Sequence, residues 1–281
     1  MSNESLNRAK QRRYDEFYTR RVDIEEELQH YTDQLAGKVV YCNCDKPGHS
    51  AFFNCFADNF EAFKLKKLIV TYYEPDKPVH ATVFTEEGIS IQELNGNGDF
   101  RSDECVQFLK GSDIVITNPP FSLFREFVSM LMQYKKKFLI IGSLNAVTYK
   151  EFFPLLANNT VSIGYSRPKA FLNSNGTLEK FGSICWYTNL CIDKRISLNL
   201  SKKYNPESYP RYLNYDAINV DRVANIPVDY AGVMGVPITF MLQYNPDQFE
   251  IVSFRKGNDN EDLVYERERE REREFIPSSE F

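Results

Sequence analysis

Between residues 38 and 141 the chain alternates short apolar runs with stretches whose apolar residues recur every three or four positions. A run of four to six apolar residues with no polar alternation has no face for solvent, so it suits a strand buried on both sides. Each intervening stretch offers one apolar stripe and suits a helix. Together they predict an α/β domain of the doubly wound kind, a mostly parallel sheet covered by helices on both faces. The strand runs are 38–45, 68–73, 113–117 and 138–141, and polar residues stand where three of them end: Asn43 and Asp45, then Glu74, then Asn118. Sheets of this kind bind ligands at the carboxyl ends of their strands.

The helices between them carry readable ends. Pro47 and Gly48 make a turn, Ser50 caps a helix bearing Phe53, Phe56, Ala57 and Phe60, and a later helix carries Phe124, Phe127, Val128 and Leu131. Residues 79–94 read as a hairpin about Glu86-Glu87-Gly88, and the turn 95–98 leads to Asp99-Phe100 and a short helix with Cys105, Phe108 and Leu109. Upstream, residues 12–35 read as one helix, with Phe17, Ile24, Leu28, Tyr31 and Leu35 on one stripe and Gly37 ending it. Beyond residue 166 the chain turns to Tyr, Asn and Pro, and Pro206, Pro210, Pro227, Pro237 and Pro246 forbid long regular elements. Residues 266–274 alternate Glu and Arg with no apolar stripe, so no core-facing helix is expected there. The resulting division is an amino-terminal helix (1–36), an α/β core (37–165), a looser region with the remaining core strands (166–257), and a charged tail (258–281).

No apolar run approaches the roughly 20 residues of a membrane span, and the polar, charged start is no secretory signal, so a cytoplasmic monomer is expected. The six cysteines include no C-x-x-C pair. Cys42 and Cys44 are expected as two small buried thiols, and three scattered histidines give no metal site. A net charge of −5 argues against coating long nucleic acid, yet local basic clusters such as Lys64–Lys67 and Lys135–Lys137 leave room for a local grip on phosphates.

The most informative stretch is Thr117-Asn118-Pro119-Pro120-Phe121. Each proline fixes its own φ and drives the residue before it out of the helical region, so the pair makes a stiff, extended loop. Such a loop at a strand end presents acceptors, here the Asn118 side-chain oxygen and the Pro119 carbonyl. An exocyclic aromatic amine is a weak nucleophile because its lone pair is delocalised. Two acceptors aimed at its hydrogens localise that pair as attack begins. Phe121 supplies a surface on which an unstacked base can lie. Glu74 suits the ribose hydroxyls of an adenosyl group, Asp99 its adenine amino group with Phe100 against the ring, and Asn43 and Asp45 the charged amino end. A glycine-rich cofactor loop is missing, since Asp45-Lys46-Pro47-Gly48 has no G-x-G.

These stretches, with Asp15-Glu16-Phe17-Tyr18-Thr19, the run 23–28, the run 98–105, Ser122 through Arg125 and the run 232–240, resemble the EcoRI-type family of adenine-specific DNA methyltransferases across residues 14–255. The resemblance implies S-adenosylmethionine as methyl donor and double-stranded DNA as partner. It places Tyr18 and Thr19 over the donor, Asn43, Asp45, Glu74, Asp99 and Phe100 around it, and Asn118, Pro119, Pro120 and Phe121 in the catalytic loop. It puts target recognition after about residue 166, and the Glu/Arg alternation stands where a structured carboxyl-terminal segment is expected. Trp186, the only tryptophan, suits either a core position or the wall of a base pocket. Other enzymes present glutamine amides or RNA bases to Asn-Pro-Pro-aromatic loops, commonly with Tyr in the fourth place, and a silent DNA-binding homologue is a third reading. Phe121 favours adenine in DNA.

Overall fold

The apolar runs do form a sheet, and the hairpin and a late return strand make it mixed. The computed structural model describes residues 18–75, 77–173, 176–180, 182–193 and 197–254. The strands are β1 (Tyr18–Thr19), β2 (Val39–Cys42), β3 (Lys67–Val70), β4 (His80–Thr85), β5 (Gly88–Glu93), β6 (Ile114–Thr117), β7 (Lys137–Ser143), β8 (Ser162–Ile163), β9 (Ala170–Leu172), β10 (Leu178–Lys180), β11 (Ile184–Thr188), β12 (Ile218–Asn219) and β13 (Met234–Gly235). The α-helices are α1 (Arg21–Leu28), α2 (Thr32–Leu35), α3 (Ala51–Asp58), α4 (Asp103–Gly111), α5 (Phe124–Gln133) and α6 (Phe153–Ala157).

Eight strands make the main sheet in the order β5-β4-β3-β2-β6-β7-β11-β8. The four central strands, β3, β2, β6 and β7, run parallel. Their flanks run antiparallel, β4 to β3 and β5 to β4 on one side, β11 to β7 and β8 to β11 on the other. The expected mostly parallel sheet is thus parallel at its centre only. The hairpin turning at Glu86-Glu87 forces β5 back on β4, with Gly88 at φ +118. Both faces are covered, as doubly wound packing requires. Val40 and Cys42 join Phe52 and Phe56 of α3 and Ile24 and Leu28 of α1 in one apolar cluster. The alternate residue Tyr41 turns to the other face, its ring 6.1 Å from Phe108 of α4. There Tyr187 of β11 lies 5.6 Å from Phe124 of α5. The stripe Phe124, Phe127, Val128 and Leu131 is buried on that face, each side chain contributing about 1.5–3 kcal/mol.

The single helix expected over 12–35 is corrected. Its first part, including Phe17, lies outside the described residues. Tyr18 and Thr19 form a strand against Leu172 and Phe171, and helix starts only at Arg21. The chain then breaks at 29–31, where the turn tightens to Tyr31 N–H donating to Leu28 O at 2.9 Å. Across the break the Tyr31 hydroxyl reaches inward to the Glu27 carboxylate at 2.9 Å. The expected stripe survives it, because Ile24, Leu28, Tyr31 and Leu35 are all buried. Cys42 is buried, whereas Cys44 is half-buried because β2 stops at Cys42. Trp186 is core: it is fully buried in β11 with Phe52 edge-on at 6.1 Å.

The chain divides into two compact units between Asp193 and Lys194. Among its described residues the second unit has only the two-residue strands β12 and β13, paired in parallel, and two 3-10 turns, as its prolines dictate. Its own apolar cluster gathers Tyr209, Ile218, Val220, Val223, Ile226 and Phe240. The Tyr209 hydroxyl donates to Asn225 O at 2.7 Å, and Gln248 pairs twice with the backbone of Leu198. The Glu/Arg alternation lies outside the described residues. Among those described, no helix is long and apolar enough to cross a membrane, and no group of His, Cys, Asp and Glu is placed to hold a metal ion.

Glu27 is the least expected core residue. Fully buried on α1, it accepts from Tyr31 Oη, from the Tyr165 and Ser166 backbone N–H groups at 2.9 and 2.6 Å, and from Ser166 Oγ at 2.7 Å. Gly164 makes room for it, since a Cβ there would stand 2.1 Å from Glu27 Oε1. The carboxylate thereby fixes the chain leaving β8. Glu27→Ala strands four donors in a dry site and is expected to cost about 3 kcal/mol or more in urea denaturation. A loss below about 1 kcal/mol would show that water replaces the carboxylate freely.

Candidate active site

Beyond Cys42 the sheet hydrogen bonding continues for one more rung, with Thr71 N–H donating to Cys42 O and Asp45 N–H to Thr71 O, both at 3.0 Å. This fixes Asn43, Cys44 and Asp45 at the carboxyl end of β2. Asn43, Asp45 and Ser50 are buried. Ser50 caps α3 by accepting from Phe52 N–H at 3.1 Å, and the same hydroxyl donates to Asp45 Oδ1 at 2.5 Å. The other Asp45 oxygen accepts from Thr117 Oγ1 at 2.5 Å. One buried carboxylate therefore joins the end of β2, the first turn of α3 and the last residue of β6.

Thr117 leads directly into the stiff loop. Asn118 is half-buried, Pro119 buried, and Pro120 extended at φ −61 and ψ 123. Phe121 opens a 3-10 turn, Phe121–Leu123, and leans half-buried on the cluster that also holds α3. The prolines stiffen the loop and the hydroxyl of Thr117 moors it.

The end of β3 carries the next two expected residues. Glu74 Oε2 pairs with Lys46 Nζ at 3.0 Å, and that ammonium lies 5.1 Å from the centre of the Tyr72 ring. Lys46 holds the Glu74 carboxyl below its usual range. Glu74 N–H donates to Asn97 O at 3.0 Å, strapping the 97–100 loop to the strand end. Gly98 is required there: φ is +75 and an added Cβ would stand 1.9 Å from Tyr72 O. Asp99 follows, its carboxylate accepting from Arg101 Nε at 2.9 Å and a terminal nitrogen at 2.7 Å, which holds it below the usual range. Phe100 is buried with its ring edge-on to Phe127 at 5.1 Å.

The structure thus brings Asn43, Asp45, Glu74, Asp99, Phe100 and the 118–121 loop to the carboxyl ends of three adjacent strands. Tyr18 and Thr19 arrive by another route, in the small sheet β1-β9-β10, with the Tyr18 ring 6.4 Å from His49 in the turn after β2. Among the described residues, Thr19 Oγ1 and Asn43 Nδ2 are buried with no hydrogen-bond partner, as is Trp186 Nε1 in the core. Such atoms each cost about 1–3 kcal/mol and are retained where a polar ligand supplies the missing partner. Sequence reasoning missed Thr117 as a tether, Ser50 as more than a cap, and Lys46 and Arg101 as the cations on Glu74 and Asp99. The signal for Thr117 was its place directly before Asn118.

Residues 5–89 and 77–279 match the family model described as Adenine-specific methyltransferase EcoRI. The chain belongs to that family. It is 44% identical over 301 aligned residues, 93% of the chain and 92% of the relative, to the Type II methyltransferase M.EcoRI of Escherichia coli. It is 39% identical to the Type II methyltransferase M.MgeORF184P of Mycoplasma genitalium, covering 88% of the chain and 85% of the relative. Identity to the Type II methyltransferase M.MpnI of Mycoplasma pneumoniae is 38%, over 88% and 84%. No solved structure matches the chain. The EcoRI methyltransferase family match runs through the Glu/Arg alternation as well as the described residues.

Burial pushes the Asp45 carboxyl up from 3.8 to about 7, against the two hydroxyl donors, which lower it. Between roughly pH 4 and 7 the folded chain therefore keeps a proton that the unfolded chain has released. The stability this group contributes is present below the unfolded value and is lost as pH rises through the folded one. The slope approaches about 1.4 kcal/mol per pH unit. Asp45→Asn cannot titrate and is expected to abolish that slope in urea denaturation followed across the same pH range. Equal slopes in the two proteins would mean that Asp45 folds as the ionised carboxylate.

Proposed function

We propose that this chain is a site-specific DNA adenine methyltransferase, transferring a methyl group from S-adenosylmethionine to the exocyclic 6-amino group of an adenine turned out of the duplex. The observation that carries the reading is the Asp45 bridge in a chain of this family. It holds the Asn118-Pro119-Pro120-Phe121 loop against the end of β2 through Thr117, where donor and acceptor must meet. Membership of a family of adenine-specific enzymes, with relatives named as Type II methyltransferases, supports adenine in DNA and a place in restriction and modification.

S-adenosylmethionine, when bound, supplies an electrophilic methyl group. The buried, unpartnered Thr19 Oγ1 and Asn43 Nδ2 suit its polar atoms. In this reading Asn43 and Asp45 define the end of the pocket that takes the amino-acid moiety, and Glu74 accepts from the ribose hydroxyls. Asp99 accepts from the adenine amino group, Phe100 backs the ring, and Tyr18 closes the pocket above. Lys46 and Arg101 keep Glu74 and Asp99 ionised, hence strong acceptors. Asn118 Oδ1 and the Pro119 carbonyl take the two amino hydrogens of the target base, Pro120 holds their spacing, and Phe121 stacks on the base. Because the target nitrogen is inaccessible within a duplex, base extrusion precedes transfer. Target recognition belongs to residues 166–257.

Two substitutions separate these roles. Asn118→Ala is expected to leave donor affinity within about twofold of wild type and to lower single-turnover methylation of unmethylated duplex DNA by about 100-fold or more. Near-normal turnover in that variant would remove the loop from catalysis, and label appearing in protein or RNA with DNA inert would overturn the substrate. Asp99→Ala is expected to weaken S-adenosylmethionine binding about tenfold or more in equilibrium titration. Unchanged affinity would leave Asp99 as a partner of Arg101 alone.

A further inference from the structure

Arg125 stands in the first turn of α5, four residues beyond Phe121, and is exposed. A cation in the first turn opposes the positive end of the helix dipole, so local energetics do not account for it. Its immediate neighbour Glu126 gives its carboxylate to Arg101 at 2.8 Å. Arg20, Arg21, Arg101 and Arg211 each pair with a carboxylate. Arg125 has no such partner among the described residues. Its guanidinium carbon lies instead 4.1 Å from the centre of the Tyr149 ring, a stacking distance.

Tyr149 is itself held in place. Its N–H donates to Ala146 O at 3.0 Å, and its carbonyl accepts from Phe152 and Phe153 N–H at 2.9 Å. It follows the carboxyl end of β7, the parallel neighbour of β6, so Arg125 and Tyr149 share the end of the sheet that carries Asn118. Lys150, the next residue in the chain, is exposed. Arg167 and Lys169 are exposed after β8, which runs the same way as β7 because both are antiparallel to β11. In a chain of net charge −5, these exposed cations stand at the end of the sheet that carries Asn118, with the exposed carboxylates of Glu126 and Glu151 also in these segments.

A guanidinium stacked on a ring has one face occupied and its N–H edges available, pre-ordered for the two oxygens of a phosphate. We propose that Arg125, stacked on Tyr149, grips a backbone phosphate of the strand carrying the target adenine and anchors that strand beside the catalytic loop. The proposal rests on the DNA methyltransferase reading. The place of Arg125 four residues beyond Phe121 favours a phosphate flanking the extruded nucleotide.

The test is the salt dependence of binding to short labelled duplexes of several sequences, measured by fluorescence anisotropy. Arg125→Ala is expected to flatten the plot of log Kd against log salt by about 0.9, one phosphate's worth, and by the same amount for every sequence. Its melting temperature and S-adenosylmethionine affinity stay at wild-type values. Tyr149→Leu keeps the charge and loses the stack, so it is expected to weaken binding severalfold with the wild-type slope. An unchanged slope in Arg125→Ala would overturn the grip, and a loss confined to one sequence would make Arg125 a reader of bases. Wild-type chain that binds duplex and leaves adenine unmethylated would sink the methyltransferase reading, and a flattened Arg125→Ala slope in that chain would still show Arg125 on a phosphate. Methylation by wild type with an unchanged Arg125→Ala slope would sink the grip alone. Failure of wild type to bind duplex at any salt would end both.

Discussion

The Asp45 carboxylate is the interaction on which the rest of the site depends. It is buried, and each of its oxygens accepts from one hydroxyl, Ser50 on the α3 side and Thr117 on the β6 side. Two prolines can make the loop after Thr117 rigid, yet rigidity does not decide where the loop stands. The Thr117 hydroxyl decides that, by tying the end of β6 to Asp45 beyond the end of β2. The cost of burying the group is visible in its carboxyl being pushed up to about 7. A fold retains such a group where it fixes a geometry that apolar packing leaves loose.

The same device recurs at Glu27, where a buried carboxylate fixes the chain leaving β8. That chain runs on to β9, against which β1 pairs. Thus Asp45 joins β2, α3 and β6, and Glu27 fixes the segment leading to the strand on which Tyr18 and Thr19 pair. Both act through short bonds to hydroxyl or backbone donors, so the site is built on the sheet and its first helices. Elements built this way hold reacting groups within the narrow tolerances that alignment requires.

How much of this was legible depended on range along the chain. The central strands, the Ser50 cap, the hairpin about Glu86-Glu87 and the helix carrying Phe124 were readable because strand periodicity, capping and turn chemistry are local. Polar residues following the strand runs were readable as candidates, and Asn43, Asp45, Glu74, Asp99 and the 118–121 loop lie at the carboxyl ends of adjacent strands. What escaped was nonlocal. Nothing near Glu27 announces the backbone of Tyr165 and Ser166 as its partner, and Tyr18 becomes strand only because Leu172 offers an edge. β11 lies in the stretch past residue 166, where loops and short strands carry no clear periodicity, so its antiparallel return beside β7 was not legible and the sheet read as more parallel than it is. Trp186 was ambiguous for the same reason, its burial depending on Phe52 far upstream.

The methyl transfer itself is the decisive property of the chain. The most direct measurement is modified-base sequencing of genomic DNA from cells that lack adenine methylation and express either this chain or its Asn118→Ala variant. Adenine methylated at N6 within one defined sequence context, present with the wild-type chain and nearly absent with the variant, is the predicted result. Unmodified adenine throughout, with folded wild-type chain present and the donor abundant, would contradict it.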